Sequence, residues 1–144
     1  MIYVTQNLLA EIFIQDPAYF TVTISLYTES LRYNNYLNRK VYIDSHGNIK
    51  NAPEQEAFLG NIHKDKLADI INTGVFRFLW EVHKDTLLVC KDCEYRYMCV
   101  DNRIPVKDND GTMWYFTTPC AYNPYVAKWR GEAGFIPANP IKHL

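Results

Sequence analysis

Hydrophobic and polar residues alternate over residues 20–27, FTVTISLY, and this alternation predicts a half-buried β-strand. A polar stretch follows, and residues 40–44, KVYID, predict a second strand. The sequence SHGN at residues 45–48 is typical of a tight turn, and Ile49 continues into the returning strand. These signals predict an antiparallel hairpin, which leads into a loop or short helix over residues 51–56.

The next apolar pattern, over residues 66–82, has the spacing of an amphipathic helix. Thr73 and Gly74 interrupt this segment, so we expect two short helices in place of one long helix. The apolar side chains expected on one face of these helices are Leu67, Ile70, Ile71, Val75, Phe78 and Leu79.

A second turn signal, DNDG at residues 108–111, precedes TMWYFTT at residues 112–118, which predicts a further strand. The tail after Cys120 contains Pro124, Pro137 and Pro140 and has little periodicity. No repeat and no boundary between domains is evident. The pattern therefore predicts one α+β domain over residues 1–144, with small antiparallel β-hairpins, short helices and a cysteine-rich C-terminal region.

The composition limits the classes of function. The chain has 144 residues, of which 48% are hydrophobic, so one domain can bury a core without disulfides. Its net charge is −1, which predicts no nucleic-acid partner, because a nucleic-acid binder normally carries a basic surface. No apolar run is long enough to span a membrane, and residues 1–15 lack the basic start of a signal peptide. The sequence thus predicts a cytoplasmic protein, in which thiols stay reduced.

The four cysteines of the chain form one pattern, Cys90-x2-Cys93-x5-Cys99-x20-Cys120. A Cys-x2-Cys pair lets one short turn present two thiolates to the same metal centre. Cys99 can return after one more turn, and Cys120 must arrive from a separate element. Four thiolates suit an iron–sulfur cluster or a structural zinc ion, and spacing alone leaves these two evenly matched. Buried thiols without a metal are a third interpretation.

Other side chains near the cysteines give weaker indications. Four basic residues could offset the negative charge of a cluster, although each by itself is typical of a solvated surface. They are Lys91, Arg96, Arg103 and Lys107. Aromatic residues could form a wall for a docked peptide, but ordinary packing is the favoured interpretation. They are Tyr95, Tyr97, Trp114, Tyr115, Tyr122, Tyr125 and Trp129. The carboxylates near the site, Asp101 among them, are assigned no acid–base role, and no catalytic residue is predicted.

Two cysteine-containing segments resemble the SPASM domain, the auxiliary-cluster part of many radical S-adenosylmethionine enzymes that modify peptides. These segments are VCKDCEYRYMCVDNR at residues 89–103 and PCAYNPYVAKW at residues 119–129. The stretch ISLYTESLRYNNYLNRKVYIDSHGNIKNAPE, residues 24–54, is similar to the peptide maturases of grasp-with-SPASM systems. The resemblance covers roughly residues 18–130.

The resemblance implies a ligand set for one of the two auxiliary clusters of the family. The residues that match are Cys90, Cys93, Cys99 and Cys120. The ligands of the other cluster would fall near Tyr36 and at Ala52 and Arg103, none of which is a cysteine. We therefore expect a single [4Fe-4S] cluster. The hairpin around Gly47 is expected to carry no metal.

The resemblance also implies what the chain lacks. Radical enzymes of this class bind their catalytic cluster through a Cys-x3-Cys-x2-Cys motif, which is absent here, so the chain alone is not expected to cleave S-adenosylmethionine. It looks like the C-terminal part of such a maturase or like a detached homologue of that part. The resemblance makes residues 1–30 a remnant of a barrel edge or a replacement for it, 31–60 a hairpin region and 85–130 the cluster-binding region. The implied partners are a precursor peptide and an ATP-grasp peptide ligase. The alternative is a non-enzymatic, zinc-stabilised interaction module.

Overall fold

The computed structural model describes residues 17–20 and 22–138, except for the side chain of Tyr19. Short helices alternate with small antiparallel strand pairs, which confirms the predicted α+β class. The helices are α1 (Ile24–Ser30), α2 (Leu67–Ile71) and α3 (Gly74–Arg77). The strands are β1 (Tyr42–Ile43), β2 (Asn48–Lys50), β3 (Gly60–Asn61), β4 (Val106–Lys107), β5 (Trp114–Tyr115), β6 (Tyr122–Asn123) and β7 (Lys128–Trp129). Single 3-10 turns lie at Pro17–Tyr19, Phe78–Glu81, Lys84–Thr86 and Cys90–Asp92.

The predicted hairpin around Gly47 is confirmed. Strand β1 pairs antiparallel with β2, and β3 adds a third strand on the other side of β2. Gly47 has a φ of +81°, a conformation that residues with a Cβ rarely adopt. The carboxylate of Asp44 accepts hydrogen bonds from the backbone N–H groups of His46 and Asn48, at 2.9 and 3.0 Å. The turn is therefore held by the residue types that the sequence places there.

The predicted break between two helices is confirmed, but the predicted apolar face is only partly right. The hydroxyl of Thr73 accepts a hydrogen bond from the N–H of Phe76 at 3.1 Å and so starts α3 as a new helix. Phe76 is completely buried, whereas Val75 and Phe78 are 72% and 52% exposed. A periodicity counted from α2 does not continue through the break, because the cap at Thr73 restarts the helix in a new orientation.

The strand predicted over residues 20–27 is wrong where the structure describes it. Residues from Ile24 onward form α1, and the Thr23 hydroxyl caps this helix by accepting from the N–H of Leu26 at 3.1 Å. The alternating apolar side chains of this segment do not form a buried sheet face, since Ile24 is 84% exposed. A capped helix satisfies its own backbone, whereas a strand needs a neighbour with which to pair. Thr21 lies outside the described residues.

The second predicted turn is confirmed, and the strand after it is shorter than predicted. Strand β5 covers only Trp114–Tyr115 and pairs antiparallel with β4. Gly111 has a φ of +68° in the connecting turn, and the carboxylate of Asp108 accepts from the backbone N–H of Thr112 at 2.8 Å. A third hairpin, β6–β7, lies in the tail where no element was predicted.

The main buried cluster lies between the 3-10 turns that follow α3 and strand β5. Its buried members are Val82, Leu87 and Phe116, and Cys90 packs against them. The N–H of Leu88 donates to the carbonyl of Trp114 at 2.8 Å, which ties the start of the cysteine segment to β5.

In the part of the chain that the structure describes, none of the helices has the length and apolar character needed to cross a membrane. The suggested barrel-edge remnant lies mostly outside the described residues.

Candidate metal centre

Three of the four cysteines lie on two consecutive turns. Cys90 starts a 3-10 turn, and the N–H of Cys93 donates back to the Cys90 carbonyl at 3.0 Å. A second turn follows, in which the N–H of Cys99 donates to the carbonyl of Tyr95 at 2.9 Å. Val89, just before the first cysteine, has a φ of +69°, which is a strained conformation for a β-branched residue. The short loops thus fold back as the Cys-x2-Cys-x5-Cys spacing predicts.

Cys120 comes from a separate segment, as expected, but it lies beyond β5 and not on the strand itself. Its sulfur accepts a hydrogen bond from the N–H of Tyr122 at 3.4 Å, which orients the thiol at the start of β6. Cys90, Cys120 and Arg103 line the same small cavity, with a volume of about 20 Å³. The fold therefore brings the distant fourth cysteine to the first.

Cys90 and Cys120 lie within electrostatic range of each other and of the other two thiols. Burial raises the pKa of the Cys90 thiol, and it raises the pKa values of Cys93 and Cys99 to about 12 each. In the protein without a metal, these three thiols are therefore protonated at neutral pH. Metal binding must displace their protons.

The spacing of the side chains does not form a ready-made site for one ion. Within residues 17–20 and 22–138, no three histidine, cysteine, aspartate or glutamate side chains stand close enough to hold a single metal ion. A zinc ion and an iron–sulfur cluster both take four protein thiolates, so this observation favours neither of them.

A buried charged triad lies beside the thiols. The Nζ of Lys84 is 2.8 Å from Oδ2 of Asp101, and Arg103 binds both carboxylate oxygens of the same residue at 2.9 and 2.6 Å. Lys84 and Asp101 are only 6% and 3% exposed. From the sequence, Arg103 is predicted as a counter-charge and Asp101 is assigned no role. Lys84 is not predicted, because nothing in its local sequence distinguishes it from a surface lysine.

The other basic residues named from the sequence have different partners. Lys91 is exposed, and Lys107 is exposed with its Nζ 5.2 Å from the centre of the Trp114 ring. Arg96 pairs through its Nε with the carboxylate of Asp85 and donates through its Nη1 to the backbone carbonyl of Cys93, each at 2.9 Å. Of the four residues named, Arg103 is the one whose side chain lines the cavity shared by Cys90 and Cys120.

An aromatic cluster packs beside Cys93 and Cys120. Ring centres of Tyr95, Tyr122 and Trp129 lie 4.6 to 5.7 Å apart. The hydroxyl of Tyr122 donates to the carboxylate of Glu94, and this ring is buried. Such mutual contacts agree with the packing interpretation of these aromatic residues.

The three positions at which a second cluster would be expected are occupied by other interactions. The hydroxyl of Tyr36 donates to Glu54 at 2.9 Å, and the side-chain amide of Asn102 donates to the same carboxylate at 3.3 Å. Ala52 is buried, and Arg103 belongs to the triad with Asp101. The fold therefore brings the Tyr36 segment close to the segment that follows Cys99, through hydrogen bonds that both donate to Glu54.

Comparisons with known proteins add no assignment. No protein-family model matches the chain, and neither a curated protein nor a solved structure matches it.

Proposed function

We propose that this chain is an auxiliary iron–sulfur domain of a peptide-modifying radical S-adenosylmethionine maturase, and that it binds one [4Fe-4S] cluster. The residues that would hold the cluster are Cys90, Cys93, Cys99 and Cys120. The observation that supports the proposal is that Cys90 and Cys120, from two segments of the chain, line one small cavity together with Arg103, which belongs to the charged triad. When bound, such a cluster supplies one-electron chemistry or rigidity.

The contacts around Glu54 support the same proposal. In the SPASM domain that the chain resembles, the segments that correspond to Tyr36 and to the residues after Cys99 both hold ligands of the first auxiliary cluster. In this chain Tyr36 and Asn102 both donate hydrogen bonds to Glu54. A fold that keeps this approach while lacking the cysteines is what a SPASM-like domain with one remaining cluster requires. The partners that follow from the proposal are a ribosomally made precursor peptide and an ATP-grasp ligase.

Metal analysis after anaerobic reconstitution tests the proposal. We expect about four iron and four sulfide ions per chain, with broad visible absorption, as one cubane cluster requires. The Cys120→Ser variant is the matched control and is expected to lose most of this absorption. About eight iron ions per chain would contradict the single site. A colourless protein with one zinc ion at the same cysteines would support the alternative, a zinc-stabilised interaction module.

A further inference from the structure

We propose that Tyr122 is a positioning residue that fixes Cys120 against the turns of Cys93 and Cys99 before any metal binds. The inference deepens the proposed function, on which it rests for the use to which the four cysteines are put. A site binds its group more tightly when its distant ligand is already in place, because binding then does not have to order the segment that carries this ligand.

The backbone ties Cys120 to the hairpin that Tyr122 begins. The N–H of Tyr122 donates to the sulfur of Cys120 at 3.4 Å. Strand β6 pairs with β7, and the N–H of Arg130 donates to the carbonyl of Ala121 at 2.7 Å, which closes the hairpin next to the cysteine. The position of the Cys120 sulfur therefore follows the position of the hairpin.

The side chain of Tyr122 reaches the segment that carries the other cysteines. Its ring meets the ring of Tyr95 edge-on, with the centres 5.0 Å apart, and its hydroxyl donates to the carboxylate of Glu94. Glu94 directly follows Cys93 in the chain. The carbonyl of Tyr95 accepts from the N–H of Cys99 at 2.9 Å. One side chain thus connects the hairpin to both cysteine turns, and all of its contacts are with protein groups.

A second tyrosine of the same hairpin makes a similar contact in a different setting. The hydroxyl of Tyr125 donates to the carboxylate of Asp92 at 2.8 Å. Tyr125 is 46% exposed, whereas Tyr122 is 4% exposed. Water readily replaces a hydrogen bond at an exposed hydroxyl, but it does not reach a buried one. The two tyrosines therefore form a matched pair, in which loss of the hydroxyl should matter at Tyr122 and hardly at Tyr125.

Chemical bridging of thiols tests the inference in the reduced, metal-free chain. A short bifunctional thiol reagent links cysteines that lie close together, and mass spectrometry after digestion identifies the linked pairs. Bridges between Cys90 and Cys93 lie within one turn and serve as the internal reference. We expect Tyr122→Phe to lower the bridges from Cys120 to Cys93, relative to this reference, by about tenfold, because a buried hydrogen bond to a carboxylate is lost.

The matched variants separate the hydrogen bond from other effects of substitution. Tyr125→Phe removes the exposed hydroxyl and is expected to stay within about twofold of the original protein. Glu94→Gln and Glu94→Ala remove the same exposed charge, but only glutamine keeps an acceptor for Tyr122, so bridging should persist in the first and fall in the second. The Glu94 pair also decides the question if Tyr122→Phe does not fold. Equal bridging in Glu94→Gln and Glu94→Ala, or in Tyr122→Phe and Tyr125→Phe, would overturn the inference.

Iron analysis of the original protein separates this inference from the proposed function. We expect the original protein to take up iron and Tyr122→Phe to lose the bridges from Cys120 in its metal-free form. A chain that takes up no iron, but in which Tyr122→Phe still loses these bridges, would refute the proposed function and support the role of Tyr122. A chain that takes up about four iron ions, but whose bridging is unchanged in Tyr122→Phe, would overturn the inference and leave the proposed function in place.

Discussion

Gly47 shows how one residue controls the first hairpin. It has a φ of +81°, and a Cβ added there would lie 2.8 Å from Cδ2 of His63. Gly111 has a similar φ of +68° in the second hairpin, but a Cβ added to it would meet nothing within 4 Å. The first glycine therefore avoids both backbone strain and a clash, and the second avoids only strain.

We expect Gly47→Ala to destabilise the protein by about 2 kcal/mol and Gly111→Ala by about 1 kcal/mol, because only the former must also displace the His63 ring. Urea unfolding of both variants measures the difference. In a His63→Ala background the cost of Gly47→Ala should fall towards that of Gly111→Ala, and the remaining difference comes from Ile62, whose Cγ1 would lie 3.1 Å from the added Cβ. Equal costs for the two glycine variants in the original background would contradict this explanation.

A second residue-scale prediction concerns two phenylalanines of neighbouring turns. Phe76 is completely buried and packs edge-on against Trp80, whereas Phe78 is 52% exposed. We expect Phe76→Ala to cost about 3–5 kcal/mol of unfolding free energy, since it leaves a cavity. The same substitution at Phe78 should cost about 1 kcal/mol, since much of that ring is already in water. Thermal and urea unfolding of the two alanine variants measures both costs. Similar costs for Phe76→Ala and Phe78→Ala would contradict the difference in burial between the two rings.

At the scale of elements, both predicted hairpins depend on an aspartate at the turn. Burial by itself would raise the pKa of Asp44. Hydrogen bonds from Asn48 and His46 and the charge of Lys50 outweigh burial and lower this pKa below its ordinary value of 3.8. The pKa of Asp108 is lowered by the N–H of Met113 and by hydrogen bonds from Thr112. Each carboxylate therefore stabilises its hairpin only while it is ionised.

This dependence predicts a loss of stability in acid. Since the folded pKa is the lower one, the contribution of each aspartate is complete above the unfolded pKa and disappears as the pH falls through the folded pKa. Asp44→Asn should be less stable than the original protein at pH 7, and this difference should shrink as the pH falls below 3.8. Unfolding free energies measured in steps from pH 7 into acid test this, with exposed Asp110→Asn as control. A difference that stays constant over the whole range would contradict ionisation as the cause.

At the scale of the whole molecule, the candidate metal centre joins two parts of the chain. Cys90, Cys93 and Cys99 come from the segment after the helices, and Cys120 comes from the segment after β5. A metal bound by all four adds its binding free energy to the folding of both segments. Helices α2 and α3 provide none of the ligands and should be less affected.

We therefore expect Cys120→Ser to reduce hydrogen-exchange protection over residues 85–130 more than over residues 66–82 in the metal-loaded protein. The metal-free forms of Cys120→Ser and the original protein are the control, and they should exchange alike. Equal loss of protection in both regions, or the same difference without metal, would contradict a metal link between the segments.

The sequence by itself determined the features that depend on a few adjacent residues. The turn at Gly47, the turn at Asp108 and the helix break at Thr73 were predicted from residues 40–50, 66–82 and 108–111 and lie where they were expected. Turn and cap chemistry acts within about four residues, so neighbouring residues suffice to specify it. For the same reason, the short spacing between Cys90 and Cys93 specifies the turn that joins them, whereas a common site for all four cysteines stays a prediction.

Only the tertiary structure decided which side chains surround that site. Lys84 meets Asp101 across 17 residues, and Glu54 meets Asn102 across 48. Such contacts depend on how separate elements pack, and no local pattern marks a lysine that will be buried. Packing also explains why the strand predicted over residues 20–27 is wrong. An alternating segment forms a strand only where a partner strand is available, and the sequence of the segment does not show whether one is. Local chemistry thus specified the turns and the candidate ligands, and packing over long sequence distances specified their charged surroundings.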